Sequence, residues 1–579
     1  MKKKIVRRPL PEQLPELSTE LHPIMRRIYQ ARGITTAKEL ECTLTHLLPY
    51  QALAGIEQAC QHLAQAVTEQ QKILILGDFD ADGATSTAVA VTALRMLGAK
   101  QVHYLVPNRF EFGYGITPEI VKVAAELKPD IIITVDNGIA NLAGVAAAKA
   151  AGIKVVITDH HLPGAELPNA DAIVNPCQPG DRFPTKCLAG VGVIFYVMLA
   201  LRAHLRDLGW FATQEIAEPN MSVLLDLVAL GTVADLVPLD HNNRILVHQG
   251  IQRIRAGKAR PGIQALLKIA GRAYERVTTI ELGFALGPRL NAAGRLTDMS
   301  LGIECLLAED FNRAYELATQ LSVLNEERRL IEQEMQQQAF AELAKFTALE
   351  NQTAKLPLGL CLFDEKWHQG VIGLLASRLK DRLHRPVIIF APGTETELKG
   401  SARSIPGLHI RDLLAIMAAK HPHLIIKFGG HAMAAGLTIA KKNYTLFAEI
   451  FAQEVQALLG EQALCSEIHS DGELDHADFN LELAELLRAA GPWGQAFPEP
   501  VFDGRFRLLQ QWLVGGKHLK LSLGLENSNK PLEGIAFNVN LKEWPNHRMQ
   551  LAHIAYRLSI NEFQGRKTVQ LIIEQLEGI

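Results

Sequence analysis

Residues 72–86 read KILILGDFDADGATS, an apolar run closed by Gly77 and followed at once by Asp78, Asp80 and Asp82. A continuous β-branched and leucine run of this length reads as a parallel strand buried on both faces, and ATSTAVAVTALRML after it reads as a helix. The three acids therefore fall at the carboxyl end of a strand, where open α/β sheets bind their ligands. Carboxylates crowded there repel one another unless they are protonated or neutralised by cations, and their oxygens suit Mg²⁺ or Mn²⁺. An acidic turn that only caps the following helix is the competing reading, because aspartate is favoured at that position for ordinary reasons.

The alternation of strand and helix continues. VHYLVP, DIIITVDNG and IKVVITDHH are strand-like, with helical segments between them, which argues for a parallel sheet with right-handed crossovers. Polar residues recur where these strands end: Asp136 after IIITV, and Asp159, His160 and His161 after KVVIT, with a further lone acid at Asp235 in VADLVPL. If the strands lie side by side these groups converge on one crevice. Oxygen and imidazole donors in that mix fit two divalent cations, Mn²⁺ or Mg²⁺, with the histidine nitrogen favouring Mn²⁺ over Ca²⁺. Paired metals are a recurrent device for phosphoester hydrolysis, since they activate water and stabilise charge on the attacking and leaving oxygens. Capping explains one aspartate easily; it explains the recurrence at successive strand ends only by coincidence.

A chain of 579 residues exceeds one hydrophobic core. Five segments are expected: a helical lead-in over 1–70, the first α/β unit over 71–305, one long connecting helix over 306–350, a second α/β unit over 351–462, and a region of short alternating strands over 463–579 that suggests a small OB-like β-barrel. The net charge of -3 announces no nucleic-acid partner, though local basic patches and bound metal are not counted in it. Seven cysteines without a CxxC pair argue against a disulfide framework or zinc site and for a reducing cytoplasm. No stretch approaches the ~20 apolar residues of a membrane span, and the amino terminus lacks the apolar run of a secretory signal.

GDFDADG at 77–83, VDNG at 135–138, DHH at 159–161 and VADLVPL at 233–239 resemble the four motifs of the DHH phosphoesterase family. PRLNAAGR at 288–295, GVIGLLASRL at 370–379, SARS at 401–404, GGHAMAAG at 429–436 and the ending AYRLSINEFQGRKTVQLIIE resemble its branch of single-strand-specific 5′→3′ exonucleases. The resemblance covers nearly the whole chain. It implies an α/β fold with a parallel-sheet DHH catalytic domain, a DHHA1-like substrate domain and an OB-like nucleic-acid-binding barrel. It further implies that Asp80, Asp82, Asp136, His160 and Asp235 hold two metals, with Asp136 as the bridge and Asp78 in or beside the ligand set. Asp159 would orient the histidines, and His161 would face the scissile phosphate as hydrogen-bond donor or general acid. Related pyrophosphatases carry a histidine where this chain has Leu76, so the first metal's ligands must differ, and Asp78 is the candidate replacement.

In the second α/β unit, Gly429, Gly430 and His431 can bring backbone N–H groups and an imidazole close to a phosphate. Ser401 and Arg403 have the chemistry for a terminal phosphate, and Arg109 could join them. Asn291 and Arg295 could contact the strand's backbone or merely tie the domains together. The expected activity is metal-dependent exonucleolytic hydrolysis of single-stranded DNA to 5′-mononucleotides by a monomer working with single-strand-binding protein and a helicase. The rival readings are a phosphodiesterase for short oligonucleotides or cyclic dinucleotides, which needs no third domain, and a non-catalytic DNA-binding scaffold, which would be expected to lose ligands.

Overall fold

A computed structural model of the chain describes residues 3–12, 17–18, 20–108, 111–112, 114–349, 356–459, 467–525, 531–541 and 543–579. A short strand, β1 (Lys4–Arg7), precedes helices Pro23–Ala31 and Ile56–Thr68. Then β2 (Ile73–Leu76), β3 (Val102–Leu105), β4 (Ile131–Val135), β5 (Lys154–Thr158) and β6 (Ala172–Val174) form a parallel sheet in the order β3-β2-β4-β5-β6. Successive side chains serve opposite faces. Ile73 and Ile75 join Ile131, Ile133 and Val156 in a core shared with helices Ala81–Met96 and Gly190–Asp207, whereas Leu74 and Leu76 pack with Ile132, Val155 and Ile157 against helices Pro118–Glu126 and Leu142–Ala150. Burial on both faces is why the strands are unbroken apolar runs.

This strand order contains a switch point. From β2 the chain crosses to β3 on one side, then returns to β4 on the other, so the connections leaving β2 and β4 diverge and open a crevice at their carboxyl ends. The register pairs Leu76 with Thr134 and Val135 with Thr158, which puts Asp78, Asp136 and Asp159 at nearly one height along its rim.

Helix Phe311–Leu349 spans about 58 Å at 1.5 Å per residue. Ala314, Leu317, Ala318 and Leu321 bury into the core of the first unit, and Met335, Ala339 and Leu343 into that of the second. Its sequence looks mostly polar because it presents apolar residues to two bodies in succession, on different stretches. The second unit is a mixed sheet of β7 (Leu360–Phe363), β8 (Val387–Pro392), β9 (Glu397–Arg403), β10 (Lys427–Gly430) and β11 (Ala434–Ala440) in the order β10-β11-β9-β8-β7.

The amino-terminal stretch carries one short strand ahead of its helices. β1 pairs in parallel with β12 (Glu467–Ser470), so the amino terminus is tied to the segment that leads into the final strands. A four-residue KIVR segment has too little pattern to announce a strand whose partner lies more than four hundred residues away. β13 (Phe502–Val514), β14 (His518–Gly524), β15 (Leu532–Ala536), β16 (Leu551–Phe563) and β17 (Arg566–Gly578) close a barrel in the order β13-β14-β15-β17-β16. Phe502, Phe506 and Tyr556 of the barrel share one continuous core with the first α/β unit, which makes the barrel a fused part of the catalytic body.

Arg32 locks this junction. Its guanidinium donates to both Asp471 oxygens at 2.7 and 3.1 Å, and the side chains are 1% and 0% exposed. Arg32→Ala strands a buried carboxylate and is expected to cost about 3 kcal/mol. A loss under about 1 kcal/mol in the unfolding free energy from urea titration, the range of an exposed pair, would show that Arg8, 3.7 Å from the same carboxylate, replaces it.

Candidate metal centre

The helix cap and the acidic cluster are one structure. Asp80 is the N-cap of helix Ala81–Met96, its Oδ1 accepting from the N–H groups of Asp82 at 2.9 Å and Gly83 at 3.0 Å. That leaves its second oxygen for the crevice. Asp82 accepts from the Gly190 and Val191 N–H groups at 2.7 and 2.9 Å, so the amino terminus of helix Gly190–Asp207 helps hold its charge. Asp136 sits at the end of β4 with φ at +63°, a left-handed conformation that a non-glycine residue adopts at a cost. The neighbouring Asn137 fixes the turn by donating to the Leu76 and Val135 carbonyls at 3.2 and 2.9 Å. Asp235 lies at the carboxyl end of helix Leu225–Ala234, not at a strand end. The helix dipole disfavours a carboxylate there, and a nearby cation would reverse that.

His160 is the hub. Its Nε2 lies 3.1 Å from Asp136 Oδ1, 3.5 Å from Asp235 Oδ2 and 4.0 Å from Asp82 Oδ2. Three groups each bring donor atoms within 4.8 Å of one another: Asp78 with Asp80 and Asp136, Asp82 with His160 and Asp235, and Asp136 with His160 and His161. Asp136 belongs to two of them. Asp136 Oδ1 and His160 Nε2 are both buried without a hydrogen-bond partner. Buried polar atoms are rarely left so in native proteins, and an unfilled ion site is a standard reason.

The electrostatics agree. Burial first, and then Asp235, push the Asp82 carboxyl up to about 7; burial and Asp80 do the same to Asp235, also to about 7. Burial and Asp82 raise Asp136 well above the carboxylate range. So many acids cannot all stay charged in this space by themselves, whereas divalent cations would restore every charge. Burial lowers His160, which keeps its imidazole neutral and able to ligate. The donor set therefore fits two hard divalent ions.

His161 is differently placed. Burial opposes both charges of the Asp159–His161 pair, yet the partners prevail, holding Asp159 down at about 2 and His161 up at about 9. The His161 Nδ1–H donates to Asp159 Oδ1 at 2.7 Å, and that oxygen also receives the His160 and His161 backbone N–H groups. The other face of His161 stacks on His431 of the second unit, centroids 5.5 Å apart. The two α/β units thus meet over the acids.

Ser401 and Arg403 adjoin on β9. The guanidinium donates to Ser401 Oγ at 3.1 Å, Ser377 Oγ at 3.2 Å and the Ala402 carbonyl at 2.8 Å, and none of these partners is a carboxylate. Gly430, at φ +143°, lets the hairpin turn so that His431 points at His161. Gly429 has open space where a side chain would stand. Asn291 Oδ1 accepts from the Ala81 N–H at 2.8 Å and so steadies the acidic loop, while Arg295 donates to the Gly370 carbonyl at 3.2 Å across the two units. Arg109 lies outside the described residues.

Two site residues escaped the sequence reading. Tyr114 donates to the Asp136 carbonyl at 3.0 Å and stands 3.3 Å from the His161 ring nitrogens. A tyrosine between two glycines in PNRFEFGYG was the available signal. Gly190 passes so close that a Cβ there would lie 2.6 Å from that of Asp136. Nothing in LAGVGV marks which glycine does this.

Three family models match the chain: the DHH family N-terminal domain over residues 72–232, the DHHA1 domain over 354–457 and the RecJ OB domain over 470–575. The single-stranded-DNA-specific exonuclease RecJ of Dickeya dadantii is 54% identical, over 98% of this chain and 98% of its own length. The solved structure of RecJ from Thermus thermophilus in complex with Mn²⁺ superposes with a TM-score of 0.79 at 27% identity, covering 97% of this chain and 76% of that one. Its counterpart in complex with Mg²⁺ gives 0.74 at 25% identity, covering 97% and 75%.

Proposed function

The chain belongs to the RecJ family of single-stranded-DNA-specific exonucleases, and on that premise we propose that its crevice hydrolyses single-stranded DNA from the 5′ end, releasing 5′-mononucleotides. The enzyme uses two divalent cations, Mn²⁺ or Mg²⁺. Asp78, Asp80 and Asp136 would hold one, and Asp82, His160 and Asp235, with Asp136 shared, would hold the other. The observation that carries this reading is the sharing of Asp136 between two donor groups, one of which includes His161, the ring that stacks on His431. When bound, the cations activate water and neutralise charge on the phosphate.

The chain's own residues do the rest. Arg403 and Ser401 take the 5′-terminal phosphate, with Gly429, Gly430 and His431 closing around it. That anchor sets the terminal nucleotide's length as the distance to the scissile bond. Asp159 keeps His161 protonated and aimed, so His161 donates to the scissile phosphate and passes its proton to the departing 3′ oxygen as the P–O3′ bond breaks. Tyr114 packs at the edge of the same ring and limits its rotation. Asn291 and Arg295 hold the acidic loop and the facing domain in register. A cleft closed on two sides by α/β units and bridged by one helix admits a single strand. By family, its partners are single-strand-binding protein and a helicase, and its compartment the cytoplasm. Among the described residues no helix is long and apolar enough to cross a membrane.

Purified protein with 5′-labelled single-stranded DNA, duplex DNA and a dinucleotide, in Mn²⁺ and in chelator, tests the activity. Metal-dependent release of mononucleotides from the single strand is expected, and preference for duplex or dinucleotide would overturn it. Arg403→Ala is expected to lower the kcat/KM ratio of 5′-phosphate to 5′-hydroxyl substrate about tenfold or more, from loss of a charge-assisted contact of about 1.5–3 kcal/mol. An unchanged ratio would move the terminal-phosphate site elsewhere.

A further inference from the structure

Directly beyond Asp235 the chain does something costly. Leu236 takes φ +59° and is 69% exposed, so it neither relaxes its backbone nor buries its side chain. Beside it the helix preceding PRLNAAGR widens into a π-helical turn, Leu282–Leu286, a feature found often at functional sites. That turn presents Phe284 at 75% exposure. Leu236, Ile280 and Phe284 line one side of a mainly apolar cavity of 370 Å³, and Pro492 and Trp493 line the other. The walls are rigidly tied. Leu239 N–H donates to the Gln495 carbonyl at 2.8 Å, and Thr279 Oγ1 donates to the Trp493 carbonyl at 2.6 Å.

The charged residues that line the cavity are two arginines and one acid, Glu499. Arg255 and Arg488 line it together with His248, and Arg255 is oriented by a 2.8 Å bond from its Nε to the Val277 carbonyl. The acids near them are committed. Glu499 is paired with Arg557 at 2.6 Å, and Glu281 accepts from Thr278 in a helix cap. An aromatic and aliphatic floor under a cationic rim is the composition that holds single strands, with bases stacking below and phosphates held above.

Position decides which part of the strand this is. The donor atoms run from His161, stacked on the second α/β unit, through His160 to Asp235, which abuts the cavity through Leu236. With the terminal phosphate anchored at Ser401 and Arg403, the strand beyond the scissile bond leaves on the Asp235 side. We propose that this slot binds the nucleobases on the 3′ side of the scissile phosphate, with Phe284 as the stacking platform and Leu236 as the wedge between cut and uncut nucleotides. The assignment rests on the single-strand nuclease reading. It gives the enzyme a grip on the strand that remains after each cut, between the catalytic acids and the barrel.

Phe284 is exposed enough to change without disturbing the core. Steady-state hydrolysis of 5′-phosphorylated oligodeoxythymidylates with Mn²⁺, comparing a dodecamer with a dinucleotide, is the first measurement. Phe284→Ala is expected to lower kcat/KM for the dodecamer about tenfold, within the range for losing one base–aromatic stack, and that for the dinucleotide by no more than this. Phe284→Trp should restore it. The second measurement moves a single abasic residue along the dodecamer: the wild type should show a KM penalty at one position or two adjacent ones past the scissile bond, and Phe284→Ala should show none there. A wild type that hydrolyses single strands, with Phe284→Ala matching it in both measurements, overturns the slot while leaving the nuclease reading intact. Unchanged DNA kinetics with lost retention of a partner protein would give the cavity to that partner and overturn the proposal as well. A wild type inactive on single strands removes the premise itself.

Discussion

Asp136→Ala is expected to lower kcat/KM for single-stranded DNA by about 10³-fold or more, because the several kcal/mol that bound metals contribute to phosphoryl chemistry depend on this one carboxylate. Asp136 brings an oxygen to the Asp78–Asp80 group and to the His160–His161 group alike, so no other single residue serves both. The fold should hardly notice. Alanine at φ +63° keeps a strain of about 1–2 kcal/mol, which aspartate tolerates better, but one of several mutually repelling buried acids is gone. The two changes oppose each other, and Tm without metal should move by only a few degrees. Differential scanning with and without Mn²⁺ separates site from scaffold: the metal-induced rise in Tm expected of the wild type should largely vanish in the variant. Retention of a tenth of the activity, or an unchanged metal response, would remove Asp136 from the shared position.

The strand ends were legible because burial on both faces leaves the sequence almost no freedom. KILIL, DIIIT and KVVIT announce β2, β4 and β5, and the first polar residue after each lands on the crevice rim. Asp80 was ambiguous because it does both things: one oxygen caps the helix, and the residue also falls in the group with Asp78 and Asp136. Leu76 is packed in the core on the far side of the sheet, and its carbonyl receives Asn137; the ligand that a histidine would supply there has no counterpart at that position. Asp78, two residues on, falls in the group with Asp80 and Asp136. What stayed hidden depends on distant partners. β1 is a strand only because β12 exists, the Asn291 bond to Ala81 joins segments about two hundred residues apart, and the slot beside Asp235 takes its walls from residues 232–284 and 488–499.

Gly190→Ala should produce the second large effect, from a residue with no chemistry of its own. Its N–H donates to Asp82 at 2.7 Å at the first turn of helix Gly190–Asp207, and the added Cβ would stand 2.6 Å from Asp136 Cβ and 2.7 Å from Oδ1. Real carbons do not approach so closely, so either the helix retreats and releases Asp82 or Asp136 is displaced from His160. Both routes spoil ligand geometry, and displacements near 1 Å at a reacting centre cost about 10²-fold in rate. The expected result is a comparable fall in kcat/KM, a raised Mn²⁺ requirement, and a loss of about 1–3 kcal/mol in stability from overpacking. Gly192→Ala is the control on the same helix, since its nearest neighbour is the flexible end of Leu188 at 3.2 Å and alanine suits a helix better than glycine. If Gly190→Ala keeps activity and metal response within twofold of wild type, the helix is not what sets the spacing of Asp82 and Asp136. If it loses them while Gly192→Ala does not, the metal site is held open by a missing methyl group, and its spacing is a property of backbone packing before it is one of ligands.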